Sequence, residues 1–153
     1  MKLKEKVCII TGGAMGNGLG IVKVFLKYGA KVVILDYAES LNDVVEGLKA
    51  EGHEVSGYRV DVRNKGAINT AIKSVVKQYE NIDVLVNNAG VAHGGMVQMT
   101  SLTDIKNVFE INYFSMVQMT QLVLRMMSRK RSGAIINLAS VAGLDLEAGN
   151  CAY

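Results

Sequence analysis

The sequence has no proline, no tryptophan and only two cysteines among its 153 residues. Cys8 and Cys151 lie far apart, without the spacing of a disulfide scaffold or a metal site, so we expect a reduced, cytoplasmic protein with no metal. Long apolar runs are missing too, and the charged start, Met1–Lys6, leads into a short strand pattern rather than a signal-peptide core. These absences argue against a membrane protein and against a secreted disulfide-rich one.

A strong excess of one charge is also missing. The chain carries 17 lysines and arginines against 14 acidic residues, a formal net charge of +3. The basic residues are scattered, and their one cluster, at 129–131, is expected at a solvated helix end rather than on a nucleic acid. We therefore expect neither a nucleic acid nor a membrane as a partner.

The chain does contain enough apolar residues for one core. Half of it is hydrophobic and 20% is charged, which is typical of globular domains. A length of 153 residues leaves room for one domain and hardly for two. Because the sequence stops at Tyr153, directly after a small-residue loop, we interpret residues 1–153 as a single domain that is truncated at its C-terminal end.

Five glycines lie between positions 12 and 20, directly after a short apolar run. That run, at 7–10, predicts a strand buried on both faces, and apolar residues at helical spacing follow the glycines. In a strand–turn–helix context, glycines let the backbone approach a ligand, and the helix N-terminus can hold a pyrophosphate. A glycine-rich turn that binds nothing is the alternative, which the flanking elements disfavour. The predicted cofactor contacts here are Gly12, Met15, Gly16, Asn17, Gly18 and Leu19.

Apolar runs alternate with amphipathic patterns along the rest of the chain. Strands that alternate with helices of crossover length predict an α/β fold with a parallel sheet. Right-handed crossovers favour a doubly wound, Rossmann-type sheet in the order 3-2-1-4-5, with ligands bound at the switch point between strands one and four. The predicted strands are 7–10, 31–36, 53–60, 82–86 and 134–138, and the later helices are 40–51, 64–79 and one long helix at 103–128, capped at Ser101 or Thr103.

Asp36 ends the second predicted strand, at the point where such folds bind the adenosine ribose. A carboxylate there can accept hydrogen bonds from the ribose and would repel a 2′-phosphate; a solvated loop aspartate is the alternative. Position 15 is methionine and Tyr37 follows Asp36, so no nearby cation is expected to neutralise such a phosphate. The sequence therefore favours NAD over NADP, with Asp36 and Tyr37 among the cofactor contacts.

Two later strand ends add candidates for the same site. Asp61 can accept from an adenine amino group while the Val62 backbone pairs with the ring, although a solvated turn explains Asp61 almost as well. In the segment N-N-A-G at 87–90, asparagine side chains can bond the backbone across strands, and the small residues leave room for a ribose. A plain turn is the alternative. The predicted contacts in this second segment are Asn88, Ala89 and Gly90.

Together these motifs resemble the short-chain dehydrogenase/reductase family over the whole chain. The family's T-G-x-x-x-G-x-G corresponds to 11–18, with Asn17 in place of the usual aliphatic residue, and its N-N-A-G is unchanged. The family's helix asparagine, the serine after strand five and the tyrosine thirteen residues later correspond to Asn112, Ser140 and Tyr153.

The resemblance implies hydride transfer between NAD(H) and a secondary alcohol or ketone. In that mechanism Tyr153 is the acid/base, Ser140 hydrogen-bonds the substrate oxygen, and Asn112 supports a proton relay. The family's lysine, four residues after the tyrosine, has no counterpart here, nor have its two last strands. Because a free phenol has a pKa of about 10 and is a poor base without a neighbouring cation, the missing lysine is a chemical deficit.

Two other functions remain as alternatives. One is a dinucleotide-binding fragment or module without turnover, which the absent lysine supports. The other is a flavodoxin-like or nucleotide-sugar enzyme, which the spacing of Ser140 and Tyr153 disfavours. The substrate stays open among a hydroxysteroid, a 3-oxoacyl thioester and a sugar or polyol.

The helix at 103–128 carries apolar residues on more than one face, and strand five has no predicted sixth strand beside it. In the resembling family this helix packs against its counterpart in another subunit. We therefore expect a homo-oligomer, a dimer or a tetramer, and not a stable, active monomer.

His93 is interpreted as a solvated loop residue rather than a substrate contact. The methionines of the helix, interpreted as core or subunit-contact residues, are Met116, Met119, Met126 and Met127.

Overall fold

A computed structural model of the protein describes residues 3–144, 149, 152 and 153. Five parallel strands form one sheet in the order β3-β2-β1-β4-β5, which confirms the predicted topology. Every predicted strand is present, with ends within two residues of the prediction. The strands are β1 (Val7–Thr11), β2 (Lys31–Asp36), β3 (Val55–Arg59), β4 (Val84–Asn87) and β5 (Ala134–Asn137).

The helices connect successive strands as crossovers. Asn64 caps α3 through its side chain, which accepts from the Ala67 N–H at 3.0 Å, whereas the Ser40 side chain makes no capping bond to α2. Ser101 is the cap of the next helix, since its hydroxyl accepts from the Asp104 N–H at 3.1 Å. The helices are α1 (Gly16–Lys27), α2 (Leu41–Ala50), α3 (Lys65–Tyr79), α4 (Leu102–Phe109) and α5 (Ser115–Lys130).

The prediction of a single long helix at 103–128 is wrong, because the run is interrupted. A π-helical turn, Glu110–Phe114, separates α4 from α5, and the Ser115 N–H bonds the Glu110 carbonyl, five residues back. The Ser115 hydroxyl also donates to the Ile111 carbonyl at 2.6 Å. A π turn adds one residue to a helical turn without breaking the run, so the apolar pattern along the sequence does not reveal it. The turn contains Asn112, whose side chain bonds the backbone of Val91, after β4.

Two hydrophobic cores cover the two faces of the sheet. Alternate residues of β1 enter different cores, since successive side chains of a strand point to opposite faces: Cys8 and Ile10 face α1 and α2, while Ile9 faces α3 and α5. All five residues of β1 are buried, as predicted for a strand covered on both faces. Met119 and Met127 of α5 lie in the second core.

The two cysteines do not form a site among the described residues. Cys8 is a free, buried thiol, and burial together with the nearby Asp83 charge raises its pKa to about 12, so it stays protonated and packs as a small apolar group. Cys151 lies outside the described residues. None of the helices in the described part of the chain has the length and apolar character needed to cross a membrane.

β5 is an edge strand, and large apolar side chains nearby are exposed. Within the described part of the chain β5 pairs only with β4, and Ile136 is 42% exposed. Along the α4–α5 helical run the exposed large aromatic and aliphatic residues are Leu102, Phe109, Tyr113, Phe114 and Leu124. The apolar surface of this run therefore extends beyond the face that the sheet covers.

Asp83 joins the amino ends of the two central strands. Its carboxylate accepts from the Val7 N–H at 3.0 Å and pairs with Lys6 at 3.2 Å, while Lys130 from the end of α5 lies 3.7 Å away. Burial acts to raise the pKa of this carboxyl, but the bonds from Val7, Asn81 and Lys6 outweigh it and hold the pKa below its usual value.

We expect Asp83→Asn to lower the free energy of unfolding by about 1–3 kcal/mol at pH 7, because a buried charge-assisted hydrogen bond is lost. The folded-state pKa is depressed, so this contribution is complete above the unfolded pKa of about 3.9 and disappears as the pH falls through the folded value. Urea unfolding of both proteins from pH 7 to pH 3 measures it. The control is Asp43→Asn, at an exposed position of α2, which should change the free energy of unfolding by less than about 0.5 kcal/mol. A wild-type advantage that does not shrink between pH 5 and pH 3 contradicts the account.

Candidate functional site

A cleft of about 840 Å³ opens at the carboxyl end of the sheet, and the ends of all five strands contribute to its wall. This is where doubly wound sheets bind ligands, beside the switch point between β1 and β4. The predicted site residues line it, except Gly16 and Leu19. Gly16 is the exposed first residue of α1, and Leu19 packs against the core beneath the turn. His93 is half-buried and is not part of the lining.

The glycine-rich turn between β1 and α1 leaves no room for side chains at its centre. A Cβ at Gly18 would overlap the Gly12 carbonyl and lie 2.6 Å from the Asn88 side-chain nitrogen. Gly12 itself has a φ of +65°, which disfavours any other residue. No side chain caps α1, and its first turn holds no acidic residue. The turn therefore presents a helix N-terminus to the cleft, suited to an anion.

Thr11 and Asn88 lock β1 to β4 under the cleft. The Thr11 hydroxyl oxygen accepts from the Asn88 and Ala89 N–H groups, both at 3.0 Å, and its hydrogen points to the Val86 carbonyl at 3.4 Å. The Asn88 side chain donates to the Thr11 and Gly12 carbonyls at 2.9 Å. The segment N-N-A-G is thus more than a plain turn, because its second asparagine holds the glycine turn in place.

Asp36 is buried, which excludes the interpretation as a solvated loop aspartate. The residue is 5% exposed, and its two carboxylate oxygens accept from the Ala14 N–H at 2.8 Å and the Ala38 N–H at 3.0 Å. It still lines the cleft, beside Tyr37. Each carboxylate oxygen has a second lone pair, so these bonds leave acceptor capacity toward a ligand.

The expectation that no cation lies near this end of the cleft is wrong. Arg59, which faces Asp36 across the β2–β3 pair, donates to the Tyr37 carbonyl at 3.2 Å and lies 3.5 Å from Glu39. Arg63 lines the cleft directly. Both guanidinium groups are engaged by the protein, and the sequence did not reveal them because the contacts depend on strand register and on the path after β3.

Arg63 also changes the interpretation of Asp61. Its guanidinium bonds both carboxylate oxygens of Asp61, and another of its nitrogens donates to the Asn107 side chain of α4 at 2.6 Å. The hydrogen bond from Arg63 lowers the pKa of the Asp61 carboxyl, so the group is ionised at neutral pH. Asp61 is neither a free acceptor for an adenine amino group nor a simple solvated turn residue. Arg63 and Asn107 are lining residues that sequence reasoning missed.

Asn112 is bound to the loop after β4 by two hydrogen bonds. Its side-chain oxygen accepts from the Val91 N–H and its nitrogen donates to the Val91 carbonyl, both at 2.9 Å. Ser140 follows β5, and its oxygen accepts from the Ala142 N–H at 3.2 Å, which leaves its O–H group to donate. Tyr153 is 45% exposed. All three residues line the cleft.

The described residues contain no group of three or more histidine, cysteine, aspartate or glutamate side chains that could hold a metal ion. The arrangement instead combines a backbone anion site, a buried carboxylate, a hydroxyl donor and a phenol along one cleft. Such a set suits a phosphate-containing ligand at the turn and proton exchange between a ligand in the cleft and a hydroxyl group of its lining.

Comparison with known proteins gives one consistent family. The family model described as short chain dehydrogenase matches residues 6–153. The chain is 39% identical to the 3-oxoacyl-[acyl-carrier-protein] reductase FabG of Chlamydia pneumoniae over 152 residues, 99% of this chain and 61% of that protein. It is 33% identical to the cyclopentanol dehydrogenase of a Comamonas species, over 99% of this chain and 61% of that protein. The chain thus spans about three-fifths of these curated relatives.

Solved structures agree with the sequence comparison. A short chain dehydrogenase/reductase from Burkholderia phymatum in complex with NAD superposes with a TM-score of 0.95 at 30% identity, over 100% of this chain and 55% of that one. An NAD+-bound xylitol dehydrogenase gives a TM-score of 0.94 at 30% identity, over 100% of this chain and 60% of that one.

Proposed function

The chain belongs to the short-chain dehydrogenase family, and we propose that residues 1–153 form an NAD-binding domain for hydride transfer between NAD(H) and a secondary alcohol or ketone. The observation that carries the proposal is the cleft. The glycine turn, the buried carboxylate of Asp36, Ser140 and Tyr153 all line it, beside the switch point of the sheet. Relatives that match over nearly the whole chain include a 3-oxoacyl-[acyl-carrier-protein] reductase and a cyclopentanol dehydrogenase by name.

The described residues fit a dinucleotide. In our proposal the pyrophosphate lies over the turn at 12–18, where the glycines, which have no side chains, let the backbone approach it closely. The adenosine half extends toward Asp36, Tyr37, Asp61 and Val62, and the nicotinamide half toward 88–90. Because Arg63 occupies the Asp61 carboxylate, we assign the adenine contact to the Val62 backbone rather than to the Asp61 side chain.

When bound, the nicotinamide supplies or accepts the hydride. The chain's own residues then have three proposed tasks. Tyr153 exchanges a proton with the substrate oxygen, and the O–H group of Ser140 donates a hydrogen bond that holds that oxygen in place. Asn112, fixed by its two bonds to Val91, holds the π turn against the cleft and supports the proton relay.

Two properties of the whole protein complete the proposal. A homo-oligomer is supported by the exposed apolar surface of the α4–α5 run, which includes Phe109, Tyr113 and Phe114. A cytoplasmic location is supported by the small net charge and the few cysteines. The candidate substrates are those that the names of similar proteins indicate, namely a 3-oxoacyl thioester, cyclopentanol and xylitol.

We expect NADH to bind at least about tenfold more tightly than NADPH, because the Asp36 carboxylate would meet the 2′-phosphate of NADPH while Arg59 and Arg63 are paired elsewhere. Fluorescence titration of both cofactors with the protein measures the difference. The same preparation is then assayed for NADH oxidation or NAD+ reduction with the three substrate classes. Equal affinities contradict the NAD assignment. Tight NADH binding without turnover of any secondary alcohol or ketone contradicts the proposed enzymatic activity and supports a dinucleotide-binding module without turnover.

A further inference from the structure

The buried carboxylate of Asp36 is bonded to the turn that we assign to the pyrophosphate. One of its oxygens accepts from the N–H of Ala14, which lies between Gly12 and Gly16 and is 3% exposed. The other accepts from Ala38, at the start of the segment after β2. Among the described residues, Asp36 provides the only side-chain acceptor for a backbone N–H of the turn at 12–16.

The other contacts between this turn and β2 cannot hold Ala14. The Gly12 N–H donates to the Leu35 carbonyl at 2.8 Å, which fixes the first residue of the turn. Gly13 lies against Ile34, where an added Cβ would be 2.9 Å from the isoleucine side chain. Without the Asp36 carboxylate, the Ala14 N–H would be buried with no acceptor, and this middle part of the turn would have to move to reach water.

We propose that Asp36 is a positioning residue for the pyrophosphate-binding turn, in addition to its contact with the adenosine ribose. This inference rests on the proposed function, since it concerns the same cofactor. The Asp36 carboxylate then determines the specificity for NAD over NADP and also contributes a large share of the affinity for either cofactor. The pyrophosphate is common to the two cofactors, so loss of the carboxylate weakens the binding of both.

A consequence follows for any attempt to change the cofactor. Removing the negative charge at position 36 does not create a site for a 2′-phosphate, because Arg59 and Arg63 remain bound to Glu39 and Asp61. The NADH preference narrows because NADH binding falls, not because NADPH binding rises to the wild-type NADH value. A smaller gap between the two cofactors is therefore expected together with weaker binding overall.

The test compares Asp36→Ala with wild type for two probes. One is NADH, and the other is an NADH analogue whose adenosine lacks the 2′- and 3′-hydroxyls. We expect the variant to bind both probes at least about tenfold more weakly, since a charge-assisted bond that orders the turn is gone. A carboxylate that serves only the ribose predicts a loss for NADH and none for the analogue. Amide hydrogen exchange without cofactor is the second readout: Ala14 and Ala38 should exchange faster, while Ile72 in α3 is unchanged.

Two further variants keep the test decisive. Asp43 is an exposed carboxylate on α2 outside the cleft, so Asp43→Asn should leave both probe affinities and the amide exchange rates unchanged. If Asp36→Ala does not fold, Asp36→Asn replaces it, because an amide has one oxygen acceptor for the two N–H groups and should release one of them. An unchanged analogue affinity with unchanged Ala14 exchange overturns the inference. Failure of wild type to bind either probe overturns the proposed function instead, and the exchange of Ala14 then still decides whether Asp36 orders the turn.

Discussion

Gly18→Ala is expected to weaken NADH binding by about a hundredfold or more. The added methyl group would overlap the Gly12 carbonyl and lie 2.6 Å from the Asn88 side-chain nitrogen, so the backbone of the turn must move. Overpacking of this kind costs about 1–3 kcal/mol or more, and 2.7 kcal/mol corresponds to about a hundredfold. Because Asn88 also holds the Gly12 carbonyl, the shift breaks the bond between the N-N-A-G segment and the turn. Isothermal titration with NADH measures the loss.

Gly20→Ala provides a matched control two residues further along α1. Apart from the adjacent backbone of α1, no atom lies within 4 Å of a Cβ at this position, and Gly20 does not line the cleft. Alanine is more stable than glycine in a helix interior, so this substitution should raise the free energy of unfolding by about 0.5–1 kcal/mol. The affinity for NADH should not change. Similar effects of the two substitutions on NADH binding would contradict the assignment of the turn.

Tyr153→Phe is expected to lower kcat by about a hundredfold to ten-thousandfold and to leave NADH binding unchanged. Phenylalanine keeps the ring that lines the cleft and removes only the O–H group that we assign to proton exchange. Steady-state kinetics with the best of the three substrates, together with an NADH titration, separate the two effects. The expected pattern is a fall in kcat and in kcat/KM with an unaltered cofactor Kd.

Tyr28→Phe is the control for that variant. Tyr28 is exposed to a similar extent, 47% against 45%, but lies after α1, away from the cleft. The control variant should retain the wild-type rate. A Tyr153→Phe enzyme that keeps more than a tenth of the wild-type kcat would remove Tyr153 from the proton-exchange step.

The fold was predictable because its signals are local. The apolar run at 7–10, the glycines that follow it and the regular return of strands and helices each occupy one short window of sequence. Once strands and helices alternate, handedness restricts the topology, and the order β3-β2-β1-β4-β5 follows. The same rule places the carboxyl ends of all five strands at one side of the sheet, and the predicted site residues other than Gly16 and Leu19 line the cleft there.

The missed features depend on contacts between distant parts of the chain. Arg63 bonds Asn107, which lies 44 residues later, and no local pattern marks either as a partner of the other. Asp36 is recognisable as a strand end, but its bond to Ala14 exists only because the turn folds back over β2. The π turn at Glu110–Phe114 is hidden for another reason, since one extra residue leaves the sequence of apolar positions nearly helical.

The lock between Thr11 and Asn88 also sets the order in which this protein can be completed during its synthesis. The two residues are 77 positions apart. At the usual elongation rate of about 5–20 residues per second, roughly 4–15 seconds separate their emergence from the ribosome. For that time β1 has β2 as a neighbour but lacks β4, and the Gly12 carbonyl lacks the Asn88 amide. The glycine turn is among the first segments translated, yet it takes its final form only after β4 has been made.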